Sequence, residues 1–122
     1  MRKILFLLFF TISAFTNYAQ EVKNIILEVS EYKEVVVAKD VQLVDVRTPK
    51  EYQEGSIDDS INIDYLDQVK FNTAFRKLDK NKPLYIYCRS GNRSQKSAKL
   101  LLELGFTEIY DLKGGYNAWS NQ

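Results

Sequence analysis

Two short apolar runs constrain the fold of this chain most. Each is followed directly by a polar loop and by residues that favour the start of a helix. Val41–Val46 and Leu84–Tyr87 are apolar and rich in β-branched or aromatic residues, which is the pattern of buried strands. After the first run, Thr48 can cap a helix, Pro49 suits its first position and Glu51 completes a capping box. Strands that alternate with helices favour an α/β domain around a mainly parallel sheet.

The other predicted elements continue this alternation. Further strands are predicted over residues 24–29, 61–63 and 107–110, which makes five in all, and helices are predicted after Ser30, over 72–79, over 93–104 and after the pair Gly114-Gly115. A length of 122 residues fits one domain, which we place at residues 20–122.

The first twenty residues differ in composition from the rest of the chain. Arg2 and Lys3 precede the unbroken apolar run Ile4–Phe10, and the sequence turns polar after Phe15. An apolar stretch of about 12 residues is too short to span a bilayer and is typical of a signal peptide. We therefore predict a signal peptide over residues 1–19, export to the periplasm or, alternatively, secretion, and no stable membrane anchor. The competing interpretation is a buried N-terminal helix or strand.

Charge and residue counts exclude several classes of function. The net charge of +1 becomes −1 without residues 1–19, because that segment carries two basic residues and no acidic one. A nearly neutral domain lacks the basic surface that binds nucleic acid. The sequence contains one Cys and no His, which excludes an internal disulfide, a Ser-His-Asp triad and a Cys-His pair. Any nucleophile here must be activated without an imidazole.

The single Cys88 follows the apolar run Leu84–Tyr87 directly, and the polar stretch Arg89–Ser94 leads from it into a helix. Ligands of parallel sheets bind beyond the carboxyl ends of the strands. A short loop there can turn backbone N–H groups inward at a helix N-terminus, where they stabilise a thiolate together with nearby guanidinium groups. The sequence thus predicts a reactive Cys88, and the alternative is an inert cysteine in the core.

Three sequence blocks together resemble the single-domain rhodaneses, a family of sulfurtransferases. The blocks are Asp45–Tyr52 with Gly55, Ile57, Asn62 and Ile63 after it, the loop Cys88–Ser94, and the closing stretch Leu112–Trp119. The resemblance covers nearly all of residues 24–120 and implies a three-layer domain with a central five-stranded sheet flanked by helices. The chain departs from the family at Ser56, where His is common, and at Ser90, where some dedicated thiosulfate enzymes carry Lys.

The resemblance also implies a reaction and a set of site residues. Cys88 would take a sulfur atom from thiosulfate or a related small anionic donor as a persulfide, and would pass it to a thiol or to cyanide. The predicted donor-binding residues are Arg47, Arg89, Ser90, Gly91, Asn92 and Arg93, with Asp45 as structural support. For Asp45 the alternative is simple hydrogen bonding at the strand end, and for Arg93 it is a solvent-facing position.

No metal or cofactor is predicted. The cluster Asp58, Asp59, Asp64 and Asp67 has irregular spacing, which indicates a solvated loop.

Two other functions remain as alternatives. A Cys-dependent phosphatase needs an Arg after five intervening residues, whereas Arg93 follows Cys88 after four. An exported sulfur-carrier or binding module with little turnover would keep the same loop. Since the sequence has no second Cys, resolution of an oxidised Cys88 would require a small thiol or a redox partner protein.

Overall fold

Five strands and five helices alternate along residues 21–122, which are the residues that the structure, a computed structural model, describes. The strands are β1 (Lys23–Leu27), β2 (Gln42–Asp45), β3 (Ile61–Asn62), β4 (Leu84–Tyr87) and β5 (Glu108–Leu112). The helices are α1 (Val29–Val36), α2 (Pro49–Glu54), α3 (Gln68–Phe75), α4 (Asn92–Glu103) and α5 (Gly115–Ser120). The predicted signal peptide, residues 1–19, lies outside the described residues. Within them, no helix combines the length and apolarity needed to cross a membrane.

The five strands form one sheet in the order β1-β5-β4-β2-β3, and every pairing in it is parallel. This confirms the predicted five-stranded α/β architecture. Strand β4 is the middle strand, paired with β2 on one side and β5 on the other. The carboxyl ends of parallel strands share one edge of the sheet, so the loop after β4 lies at the centre of that edge.

The sheet has a packed hydrophobic layer on each face, because successive residues of a strand point to opposite faces. Val44 and Ile86 pack on the face that α3 and α4 cover, whereas Leu43 and Tyr85 pack on the face that α1 and α5 cover. Cys88 belongs to the α3/α4 face. The helix–sheet–helix layering that the family resemblance implies is therefore present.

Two helix starts differ from the sequence prediction. Helix α3 begins at Gln68 rather than at residue 72, because the Asp67 side chain accepts a hydrogen bond from the Lys70 N–H and caps the helix earlier. Its buried residues are Phe71 and Phe75. Ser30 does not cap α1, since it lies inside that helix.

Strand β5 continues to Leu112, two residues beyond its predicted end. The extension pairs β5 with the whole of β1, from Lys23 to Leu27. It also places Asp111 inside the sheet, where the residue is 1% exposed.

Candidate active site

Cys88 lies at the carboxyl end of the middle strand, and its side chain is buried, with 1% exposure. Gly91 closes the loop after it as the N-cap of α4, with a φ of +111°. Few residues other than glycine adopt this left-handed conformation readily. The short loop therefore turns directly from the strand into the helix and places the sulfur atom beneath the helix N-terminus.

Two polar groups contact the sulfur atom of Cys88. The backbone N–H of Gly91 donates to Sγ over 3.1 Å, and the thiol lies 3.3 Å from Oγ of Ser94. The Ser94 side chain is fully buried and donates in turn to the carbonyl oxygen of Gly91 over 3.2 Å. A backbone N–H and a helix N-terminus both favour negative charge, so this position suits a thiolate.

The N-terminus of α5 holds the backbone of the Cys88 loop from the other side. The N–H of Tyr116 donates to the Cys88 carbonyl oxygen over 2.7 Å, and the N–H of Asn117 donates to the Arg89 carbonyl oxygen over 3.0 Å. Gly115 makes this approach possible, because a Cβ atom there would lie 2.4 Å from the Cys88 carbonyl oxygen. The closing sequence block thus supports the loop physically.

Arg47 and Asp45 form a buried ion pair near the loop. The guanidinium donates to both carboxylate oxygens over 2.6–3.0 Å, and also to the Gly55 carbonyl oxygen over 2.7 Å. Its central carbon lies 4.4 Å from the centre of the Tyr116 ring. Asp45 also accepts a hydrogen bond from the Arg47 backbone N–H over 2.9 Å, and the Arg47 guanidinium connects β2, the end of α2 and α5.

Arg93 forms a bidentate ion pair with Glu51, with nitrogen–oxygen distances of 2.6 and 2.9 Å. The same carboxylate accepts from Thr48 in the predicted capping box of α2, which the structure confirms. The Arg93 hydrogen bonds and, to a smaller extent, those of Thr48 lower the pKa of Glu51 to about 2, although partial burial opposes them. The Arg93 guanidinium is therefore neither a simple solvent-facing group nor part of an open pocket, because it is bound to Glu51.

A shallow cavity of about 270 Å³ lies beside the loop. It is lined by Arg47, Glu51, Glu54, Gly55, Arg89, Tyr116, Asn117 and Ser120. Arg89 is exposed, as are Ser90 and Asn92. Of the predicted donor-binding residues, Arg47 and Arg89 therefore share a cavity and Gly91 contacts the sulfur. Ser90 on the loop and Asn92 at the start of α4 are exposed.

The sequence prediction missed three residues of this region. Ser94 was recognised only as part of the loop motif, and Glu51 only as part of a capping box. Asp111 was not singled out, although its buried carboxylate lies under the first turn of α4 and accepts a hydrogen bond from Gln95. Since Asp111 and Cys88 are far apart in the sequence, only the pairing of β4 with β5 brings them onto one face.

The arrangement combines a buried thiol, a helix N-terminus and guanidinium groups at one edge of the sheet. Such a site can hold a negative charge on sulfur and can receive a small anion from the cavity side. Arg93 is also close enough for the Cys88 sulfur to raise the pKa of its guanidinium, an effect smaller than that of Glu51.

Known proteins share this fold and much of this sequence. Residues 28–122 match the family model of the rhodanese-like domain. The thiosulfate sulfurtransferase GlpE of Shewanella oneidensis is 34% identical over 93 residues, which are 76% of this chain and 89% of that protein. The protein of the same name from Coxiella burnetii is 37% identical over 86 residues, 70% of this chain and 78% of its own length.

Solved structures lead to the same family. A rhodanese-related protein from Thermoplasma volcanium superimposes with a TM-score of 0.68 at 30% identity, over 80% of this chain and 92% of that one. A rhodanese-like domain protein from Staphylococcus aureus has a TM-score of 0.68 at 31% identity, over 79% and 91% of the two chains. The chain described here is a member of the rhodanese-like domain family.

Proposed function

We propose that this protein is a sulfurtransferase that carries sulfur as a persulfide on Cys88. The observation that carries the proposal is the Cys88 sulfur itself, held at the end of β4 by the Gly91 N–H and facing the N-terminus of α4. The chain has no histidine, so this environment is what activates the thiol. Relatives named thiosulfate sulfurtransferase, which align over most of the chain, support the same reaction.

The reaction proceeds in two transfers. The Cys88 thiolate attacks the outer sulfur of thiosulfate or a related anionic donor; a sulfur–sulfur bond forms to Cys88, and sulfite leaves with the electron pair of the bond that breaks. A thiol or cyanide then attacks the outer sulfur of the persulfide and returns the thiolate. The Gly91 N–H, together with the first turn of α4, stabilises the negative charge in both states.

Donor recognition is assigned to the cavity beside the loop. Arg89 is exposed there, and Arg47 lines the same cavity while Asp45 holds it in place. A guanidinium group suits a sulfonate-like anion because it offers parallel N–H donors. Arg93 does not line this cavity and pairs with Glu51, so we assign it to fixing α4 to α2.

The test is mass spectrometry of the purified protein after incubation with thiosulfate. We expect one added sulfur atom on Cys88 and its loss when cyanide is added. Cys88→Ser should take up no sulfur and should lose sulfur transfer to cyanide, since it removes the sole thiol. Undiminished turnover in that variant would overturn the proposal.

The same assay separates the two alternative functions. A sulfur carrier would form the persulfide but would pass it on at a rate far below that of its formation. A phosphatase would hydrolyse an aryl phosphate faster than it transfers sulfur, and that activity would also depend on Cys88. The Glu51 carboxylate that holds Arg93 argues against the phosphatase, because the Arg of such a loop must clamp the phosphoryl group.

We further propose that the protein is exported, with removal of residues 1–19, and acts in the periplasm. The support is the basic start and the short apolar run of the N-terminal sequence. N-terminal sequencing of protein from the exported fraction should find a start near Gln20, and retention of Met1 on a membrane-bound species would refute the proposal. An exported thiol is exposed to oxidation, so a small thiol or a redox partner protein must restore Cys88.

A further inference from the structure

One buried carboxyl group close to the site has no role in the reaction described so far. Asp111 lies on β5 and pairs with Ile86 of β4, which is two residues before Cys88. Its side chain is on the α4 side of the sheet, and the residue is 1% exposed. Its Oδ2 atom accepts a hydrogen bond from Gln95, and among the described residues its Oδ1 atom has no hydrogen-bond partner. A buried polar atom without a partner costs free energy, so its retention calls for an explanation.

Ser94 contacts Cys88 from the first turn of α4, and the next residue, Gln95, bonds Asp111. The Ser94 hydroxyl oxygen is 3.3 Å from the Cys88 sulfur, and its hydrogen points to the Gly91 carbonyl oxygen at 3.2 Å. Burial raises the pKa of Asp111 to about 6, although the Ser94 hydroxyl and the Gln95 amide oppose this rise. The Gly91 carbonyl oxygen also accepts from the Gln95 N–H, so it keeps one partner when the Ser94 hydroxyl turns toward Asp111.

We propose that Asp111 accepts the proton of the Cys88 thiol through the Ser94 hydroxyl, and thereby replaces the histidine base that this chain lacks. This inference rests on the proposed function and names a further participant in it. The Cys88 S–H bond breaks as its proton passes to the Ser94 oxygen, while the Ser94 hydroxyl proton passes to Oδ1 of Asp111. The electron pair stays on sulfur, and the carboxylate becomes a neutral carboxylic acid.

The balance of charge favours this transfer. Before the proton transfer, the buried region holds a neutral thiol and one carboxylate. After the transfer, it holds one thiolate or persulfide anion and a neutral carboxylic acid. The net charge of the region is therefore unchanged while sulfur is carried. Two adjacent buried anions would instead repel each other in a medium of low dielectric constant.

The other charged and titratable groups around Asp111 leave it available for this role. From α1, across the sheet, the phenol of Tyr32 interacts with it electrostatically, while that hydroxyl donates to the Ile86 carbonyl oxygen. Strand β1 places Ile26 beside it in register. Lys113, two residues along the chain, pairs with Glu28, and Arg93 of the first turn of α4 pairs with Glu51.

The first test is the rate of persulfide formation from thiosulfate in Asp111→Asn at neutral pH. Loss of a proton acceptor should slow the step about 100-fold, which is a usual size for general base catalysis. Ser94→Ala should slow it similarly, and the double variant should lose little more, because both changes break one relay. Asp40→Asn, an exposed carboxylate, is the matched control and should keep the full rate.

The sign of the effect separates this role from simple electrostatics or a packing role. If Asp111 acted only through its charge, its neutral amide would favour the thiolate and would raise the rate, and a rate equal to or above that of the native protein overturns the relay. Thermal melts of each variant establish that it is folded. If the native protein takes up no sulfur at all, the proposed function fails, and the relay is then tested by the rate at which Cys88 is alkylated. The relay predicts slower alkylation in Asp111→Asn and Ser94→Ala than in the native protein and Asp40→Asn.

Infrared difference spectra of the persulfide form against the reduced form provide a second measurement. We expect a new carbonyl band of a protonated carboxylic acid, absent from Asp111→Asn and present in Asp40→Asn. A persulfide that forms, as shown by mass, without this band would also overturn the relay.

Discussion

Asp111 is the residue at which stability and chemistry conflict in this protein. Burial raises the pKa of its carboxyl group to about 6, and the polar groups of Ser94 and Gln95 only partly oppose that effect. Because the value in an unfolded chain is near 3.8, the folded state disfavours the ionised form. The Asp111 carboxylate therefore destabilises the native protein at neutral pH.

The first prediction concerns the pH dependence of stability in Asp111→Asn. The carboxyl group's unfavourable contribution is absent below pH 3.8 and grows as the pH rises through 6, to an upper bound of roughly 3 kcal/mol at 1.4 kcal/mol per pKa unit. Asp111→Asn should therefore be more stable than the native protein at pH 7 to 8 and should lose this advantage toward pH 4. Urea denaturation at several pH values measures the difference, and a variant that is less stable at pH 8 would contradict the prediction.

Glu51 joins two elements through one carboxylate, since it completes the cap of α2 and pairs with Arg93 of α4. The Glu51→Gln variant keeps a side chain suited to the capping box and removes only the ion pair. Because the folded pKa of about 2 lies below the ordinary value of 4.5, the pair stabilises the fold above pH 4.5 and loses its effect as the pH falls through 2.

The second prediction is that Glu51→Gln costs about 1 kcal/mol at pH 7, a value limited by the partial exposure of the pair. The cost should disappear toward pH 2. Chemical denaturation at both pH values measures it, with Glu54→Gln, an exposed acid of the same helix, as the control that changes little. An equal cost at both pH values would show that the cap, rather than the ion pair, was lost.

The third prediction concerns the contact of α5 with the Cys88 loop. Gly115 has a φ of +57°, and a Cβ atom there would lie 2.6 Å from the Arg89 carbonyl carbon. Gly115→Ala must therefore push the loop and α5 apart, and we expect at least a tenfold fall in sulfur transfer. It should also cost roughly 1–2 kcal/mol for the left-handed backbone.

Gly105→Ala is the matched control for that prediction. Its φ of +102° imposes a similar backbone cost, but its new Cβ atom would meet only the Lys80 side chain at an ordinary 3.5 Å. Gly105→Ala should thus lose stability but keep its rate of sulfur transfer. Equal rates in the two variants would show that the contact of α5 does not position the loop.

The architecture of the whole molecule could be predicted from the sequence wherever short-range patterns determine the structure. Buried strands such as Leu84–Tyr87 and the capping box at Thr48 are short-range patterns, and both were located correctly. The position of Cys88 at a strand end also followed from its neighbours. By contrast, the partner of Arg93 and the burial of Asp111 depend on which strands and helices become neighbours, and no local pattern specifies those contacts.

The fourth prediction concerns a hydrogen bond that ties the middle strand to the connection between α2 and β3. The buried hydroxyl of Tyr87 accepts from the Ile57 N–H over 3.0 Å and lies 2.9 Å from Oγ of Ser60. Tyr87→Phe leaves the Ile57 N–H without a partner and should cost about 1–3 kcal/mol. Tyr110→Phe, whose hydroxyl bonds a half-exposed Glu108, should cost less in the same thermal melts. Equal costs would contradict the assignment.

The pairing of β1 with β5 has a consequence for the order in which the molecule can fold. Within residues 21–122, strand β1 (Lys23–Leu27) pairs only with β5, at residues 108–112, which lie more than 80 positions later. A chain that emerges from its N-terminus, whether from a ribosome or through a membrane pore, cannot close this edge until almost all of it has passed. Such non-local pairing slows folding. The topology thus leaves strand β1 without its β5 partner until residues 108–112 are available.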